Sequence, residues 1–274
     1  MAAGMNPDDL AALQKAVQSL EHPGLAARLT NLVGKPIELI GIALPPSASR
    51  AIATATSRGL ELALQAALRT MRHKAFGESP LLHKALATAS GAAGGAFGLV
   101  ALPVELPLST IIMMRSIADI ARSEGEDPSE PESALSCVQV FALGGRAGSD
   151  DASESGYFAV RGMLAKTVTE AARFLAERGA IEEGGPILLR FITQVASRFG
   201  VVVTQKVAAQ ALPVIGALGG AAVNYAFMEH FQDVARGHFT VRRLERTYGK
   251  ELVRREYERI NWDTRTGDPA PYEL

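Results

Sequence analysis

Apolar residues recur every three to four positions along nearly the whole chain, the period of a helix that buries one face. The first such run, residues 8–20 after the cap-like Asn6-Pro7, predicts a short amphipathic helix. Pro45-Pro46 and Ser47 introduce a longer one to about residue 76, with Arg50, Arg58, Arg69 and Arg72 on a wet side. Ser79-Pro80 opens another. Ser129, with Glu132 three residues on, predicts a capping box for a helix ending at Gly144-Gly145. The segment GGRAGSDDASESG at 144–156 is a polar loop. Further helices are predicted over 157–178, with Gly179 at the C′ position, from Pro186, from Pro213, and over about 241–260 with an interruption at Gly249. The one strand-like run, Val201-Val202-Val203, is too short to build a sheet on. The expectation is an all-α, single-domain helical bundle. Residues 1–35 form an N-terminal helical segment, 36–260 the main domain and 261–274 a tail.

Two stretches carry no charge, 20 residues at 85–104 and 22 at 207–228. A helix of about 20 residues crosses the roughly 30 Å of a bilayer's hydrocarbon, so both are long enough. Their composition argues against independent spans. The first is mostly Ala and Gly, Pro103 and Pro107 favour a break, and Glu105 between them costs about 3 kcal/mol at the centre of a spanning helix. The second contains Gln210, Pro213 and Asn224. Gly91 with Gly95, and Gly216 with Gly220, each form G-x-x-x-G, a spacing that lets two helix backbones approach closely. The tetrapeptide ALPV occurs at 101–104 and again at 211–214. Each copy is followed by a similar ending, ADIAR at 118–122 and QDVAR at 232–236. The pattern predicts two Gly/Ala-rich apolar helical hairpins packed together. Their glycines serve tight packing inside a soluble bundle or a bilayer interface, and homo-oligomerisation through them is the corresponding expectation.

Composition sharpens this. The chain of 274 residues is 47% hydrophobic and 21% charged, at the apolar end for a soluble protein. A net charge of -1 provides no field for nucleic acid. Cys137 is the only cysteine, which excludes an intrachain disulfide and fits a reducing, cytoplasmic compartment. The early aspartates are unlike a secretory signal. Charge is unevenly placed: residues 123–133 hold five acids and no base, whereas 236–259 hold eight Lys or Arg against four Glu. Such a basic segment meets anionic lipid, or forms a solvated face with i, i+4 pairs such as Glu251–Arg255.

Catalytic motifs are missing. None of His22, His73, His83, His230 and His238 sits in H-E-x-x-H, and no Cys/His pair has zinc spacing. His230 and His238 are eight apart beside Glu229 and Asp233, a metal cluster only if capping and surface roles are excluded. There is no G-x-S-x-G and no phosphate-binding glycine loop. No cofactor and no metal are expected. What stands out instead is charge and amide inside apolar segments: Glu105, Arg115, Asp119, Arg161 and Asn224. If the hairpins pack, these five form one buried polar network, either specifying the fold or binding a lipid head group.

The segments SCVQVFALGG, GYFAVRGMLA and ASRFGVVVTQKVAAQALPVIGALGGAAVNYAFMEHFQDVARGHFTVRRLERTYG resemble the EcsC family. So does the Gly/Pro stretch at 91–109 leading into IMMRSIADIA, and the similarity spans about residues 40–260. The family is named for a bacterial protein encoded with an ABC transporter in an operon affecting secretion. The resemblance implies a helical, membrane-associated bacterial protein and brings no catalytic residues. The expected function is therefore non-enzymatic. It is a peripheral protein at the inner face of the cell membrane, binding lipid or serving a membrane protein complex as an adaptor. The alternatives are a soluble interaction module or a hydrolase. Membrane contact is expected through Gly91, Gly95, Phe97 and Leu99, or through Arg242, Arg243 and Arg246.

Overall fold

The computed structural model describes residues 4–21, 24–33, 46–70, 102–145, 156–178, 185–210 and 216–266. Gly91, Gly95, Phe97, Leu99, Gly179, Pro213 and the start expected at Pro80 lie outside them. The described residues form nine helices and no strands: α1 (Pro7–Glu21), α2 (Leu25–Val33), α3 (Pro46–Thr70), α4 (Leu102–Ser123), α5 (Pro131–Leu143), α6 (Gly156–Arg178), α7 (Pro186–Gln210), α8 (Gly216–Tyr248) and α9 (Lys250–Thr266). The Val201 run is one turn of α7. The protein is all-α, as its periodicity predicts.

Helix ends follow local chemistry. Asn6 Oδ1 accepts the Asp9 amide at 2.7 Å, capping α1, with Asp8 and Asp9 favourably placed against the dipole of its first turn. The box expected at Ser129 and Glu132 does not form. Ser129 instead bonds Asp127 Oδ1 through its amide and its hydroxyl, and α5 starts one residue later because Pro131 sets the first helical φ. Nor do Pro103 and Pro107 break α4, which contains both. Pro103 stands in the first turn, where no intrahelical acceptor exists for an N–H, so only Pro107 removes a bond. Tight packing compensates: a Cβ on Gly59 of α3 would lie 3.5 Å from Pro107 Cα and 3.0 Å from Thr110 Oγ1.

The separate element expected from about residue 241 is instead continuous with α8. That helix holds 33 residues and is about 50 Å long. Gly237, where it would be weakest, packs on α1: a Cβ there would lie 2.9 Å from Leu20 Cγ. The break comes at Gly249, whose φ of 86° is the left-handed conformation that ends a helix.

Helix α5 is the centre, with 11 of its 13 residues buried and α3, α4, α6, α7 and α8 around it. Phe141 of α5 meets Phe199 of α7 at 4.8 Å and Phe231 of α8 at 5.3 Å, an aromatic knot tying three helices. Helices α4 and α8 run parallel. Glu105 touches Asn224, Ser116 touches Gln232, and Glu124 touches Thr240, at sequence offsets of 119, 116 and 116. The two similar endings, 118–122 and 232–236, thus lie on adjacent parallel helices. Among the described residues, one helix, α7, is long and apolar enough to cross a membrane; 39% of its most apolar window is buried.

Candidate functional site

Where α4, α7 and α8 meet, three polar side chains are shut away from water. Lys206 Nζ donates to Glu105 Oε1 at 2.7 Å, and Asn224 Nδ2 donates to the same oxygen at 2.9 Å. Lys206 also sits 4.9 Å from the centre of the Phe227 ring, a cation–π contact. Burial of a lysine and a glutamate is tolerable only because each neutralises the other. The surface beside this triad is apolar. Val104 and Leu108, flanking Glu105 on α4, are 75% and 48% exposed, and Tyr225, next to Asn224, is 42% exposed.

A second buried network links α1, α6, α8 and α9. Glu21, at the end of α1, accepts the Gly156 and Tyr157 amides at the N-terminus of α6, where the helix dipole favours an anion. It also accepts from Tyr257 Oη at 2.8 Å. The Tyr157 hydroxyl is 3.0 Å from His238 Nδ1 and accepts from Arg161, which also forms a two-pronged pair with Glu245 at 2.8 and 3.0 Å. Burial pushes the Tyr157 hydroxyl pKa up and holds that of His238 well below the usual histidine value, so both stay neutral. His230 is buried and neutral as well. Desolvation outweighs its bond to the Gly144 carbonyl and lowers its pKa to about 4. With Arg198, which donates to the carbonyls of Ala142 and Gly145, His230 closes the C-terminal end of α5.

Arg161 and Glu245 form one wall of a groove of about 490 Å³, where α5, α6 and the α8–α9 junction converge. Glu132, Ser136 and Gln139 reach it from α5, as a polar stripe at i, i+4, i+7 on an otherwise apolar helix. Arg242, Arg246 and Lys250 complete its basic side. Behind them Arg242 clamps Glu126 at 2.8 and 3.1 Å, and Arg246 bonds the same carboxylate. Burial resists ionisation of Glu126. The hydrogen bonds from Arg242 and Ser133 and the two arginine charges prevail, and its pKa falls to about 2. Arg243 pairs with Glu124 and with Asp9, each at 2.8 or 2.9 Å.

The five residues predicted as one network are therefore divided. Glu105 and Asn224 meet directly, and they are joined by Lys206, which is not among the five. Asp119 is held by Arg122 at 2.8 Å, Arg115 is half-buried on the same helix, and Arg161 belongs to the groove. The signal for Lys206 was present: a lone lysine in VVVTQKVAAQ, as anomalous in an apolar run as Glu105. The start of the basic C-terminal segment and the acidic 123–133 segment, two separate charge runs in sequence, pair with each other through Arg242, Arg243 and Arg246. Each of these three arginines thus forms ion pairs within the protein.

The EcsC protein family matches residues 8–244, beginning in α1 rather than near residue 40 and ending in α8. The matched span contains the triad and most of the groove. No curated protein and no solved structure matches the chain.

Proposed function

We propose, for a chain that belongs to the EcsC protein family, a non-enzymatic role as a peripheral membrane protein that meets lipid through its apolar end. The observation that carries this reading is the exposure of Val104, Leu108 and Tyr225 around a triad whose charges are buried and paired. That end thus offers hydrocarbon without offering charge. The outer face of α7, which joins α4 there, supports the same reading. Its exposed residues between 191 and 205, Thr193, Ser197 and Val201, are uncharged. Both hydroxyls, with that of Thr204, bond carbonyls of their own helix at 2.8 Å, so little polarity faces outward.

Burying what remains exposed of Val104, Leu108 and Tyr225 contributes about 3 kcal/mol. Attachment of that strength is reversible and weaker than that of a single acyl chain. Because the contact is made by apolar side chains, it does not depend on lipid charge.

Flotation with neutral phosphatidylcholine vesicles tests this. Binding that persists in high salt and is lost in a Val104→Asp/Leu108→Asp variant is the expected result. Failure to float, or flotation only on anionic vesicles at low salt, overturns it.

A further inference from the structure

We propose that the groove between α5, α6 and the α8–α9 junction binds a small, water-soluble phosphorylated anion. Four cations line it, Arg161, Arg242, Arg246 and Lys250, against the carboxylates of Glu132 and Glu245. Counting Glu126 behind them, four positive charges face three negative ones, so the groove keeps an excess charge after its internal pairs are made.

Those pairs position the arginines without exhausting them. A guanidinium carries five N–H donors. Arg161 uses three, two on Glu245 and one on Tyr157, and 5 − 3 leaves two. Arg242 spends its Nε and Nη2 on Glu126, with Glu132 3.6 Å from Nη2, which leaves Nη1. Held in this way, the guanidiniums need no reordering to receive an oxyanion.

Ser136 is an independent sign of a ligand. It lines the groove and is 1% exposed, yet its Oγ has no hydrogen-bond partner. A buried hydroxyl left unsatisfied is destabilising, and a ligand oxygen would relieve it. Lys250 adds an exposed ammonium at the first residue of α9, where the helix dipole also favours an anion. A phosphate presents several acceptor oxygens in a tetrahedron, which suits convergent guanidinium, ammonium and hydroxyl donors. A volume of about 490 Å³ holds a phosphate together with a small organic group.

The same chemistry is offered by a lipid head group. Arg242 lies 18 residues along α8 from Asn224, about 27 Å away. A lipid with its tails at the apolar end cannot place its phosphate in the groove. That choice of source rests on the proposed membrane orientation; the anion chemistry does not.

The test uses the intact protein without vesicles, so its failure is separate from that of the flotation experiment. Inorganic phosphate or glycerol phosphate at ten times its Kd, compared with chloride at equal ionic strength, is expected to raise the unfolding midpoint by about 3 °C. Ser136→Ala and Lys250→Gln, which disturb no ion pair described above, should each weaken binding about tenfold, with the fold kept by circular dichroism. No shift, or one that both variants retain, overturns the site. Phosphatidic acid vesicles form the other arm, tested on the Val104→Asp/Leu108→Asp variant. Binding of phosphate only when it is vesicle-borne overturns the soluble assignment.

Discussion

Lys206 Nζ and Glu105 Oε1 stand 2.7 Å apart with side-chain exposures of 0% and 6%, although 101 residues separate them in sequence. Removing one partner leaves the other charged in a dry site. Lys206→Met is expected to destabilise the protein by about 3–5 kcal/mol in urea unfolding. Adding Glu105→Gln to that variant keeps an acceptor for Asn224 and removes the stranded charge. The double variant should recover most of the loss, and the pair should be strongly non-additive.

Acid should weaken the fold in two stages. His230 has a folded pKa of about 4 against an ordinary 6.5, so the unfolded chain takes up its proton first as pH falls. The stability this contributes is complete above about pH 6.5 and lost on the way to pH 4, about 3 kcal/mol in all for a fully buried group. His238, also lowered by burial, acts in the same direction. Glu126, lowered to about 2, extends the loss below pH 4.5. His230→Gln keeps a donor for the Gly144 carbonyl and cannot titrate. Its stability between pH 7 and 4.5, followed by chemical denaturation, should fall less steeply than that of the parent.

Two glycines should respond oppositely to alanine. At Gly145 a Cβ would collide with the backbone carbonyl of Arg198, so the α5 and α7 backbones must part. Gly145→Ala is expected to cost about 2–4 kcal/mol. Gly162, on the exposed side of α6, has nothing within 4 Å of such a Cβ, and there alanine should raise stability by about 0.5–1 kcal/mol. Thermal unfolding of the two variants side by side measures both.

Much of the architecture was legible because it is written locally. Asn6 as a cap, Pro186 as a helix start and Gly249 as a stop depend on a few neighbouring residues, and the period of 3.6 reveals the helices between them. The failures were also local at root. The propensity of Pro107 to break a helix is overridden by its packing against Gly59, and the capping box of Ser129 is pre-empted by Pro131. The polar residues show a different limit. That Glu105 and Arg161 are costly to bury follows from composition. That one finds Lys206 and the other Glu245, 84 residues away, is set by how the bundle brings α4 against α7 and α6 against α8. No period in the chain encodes those pairings.

The most direct test of the central claim is a depth measurement by single-site labelling. Cys137 is fully buried and its thiol pKa is pushed up by desolvation, so an introduced cysteine labels selectively. A polarity-sensitive fluorophore is placed at Val104→Cys beside the triad, or at Arg255→Cys on the exposed face of α9. Each protein is mixed with neutral vesicles in high salt. The account predicts a blue shift, and quenching by lipid-borne quenchers, at position 104 and neither at 255. A label at 104 that stays in water while the protein is vesicle-bound, or one that reports no vesicle contact at all, would contradict it.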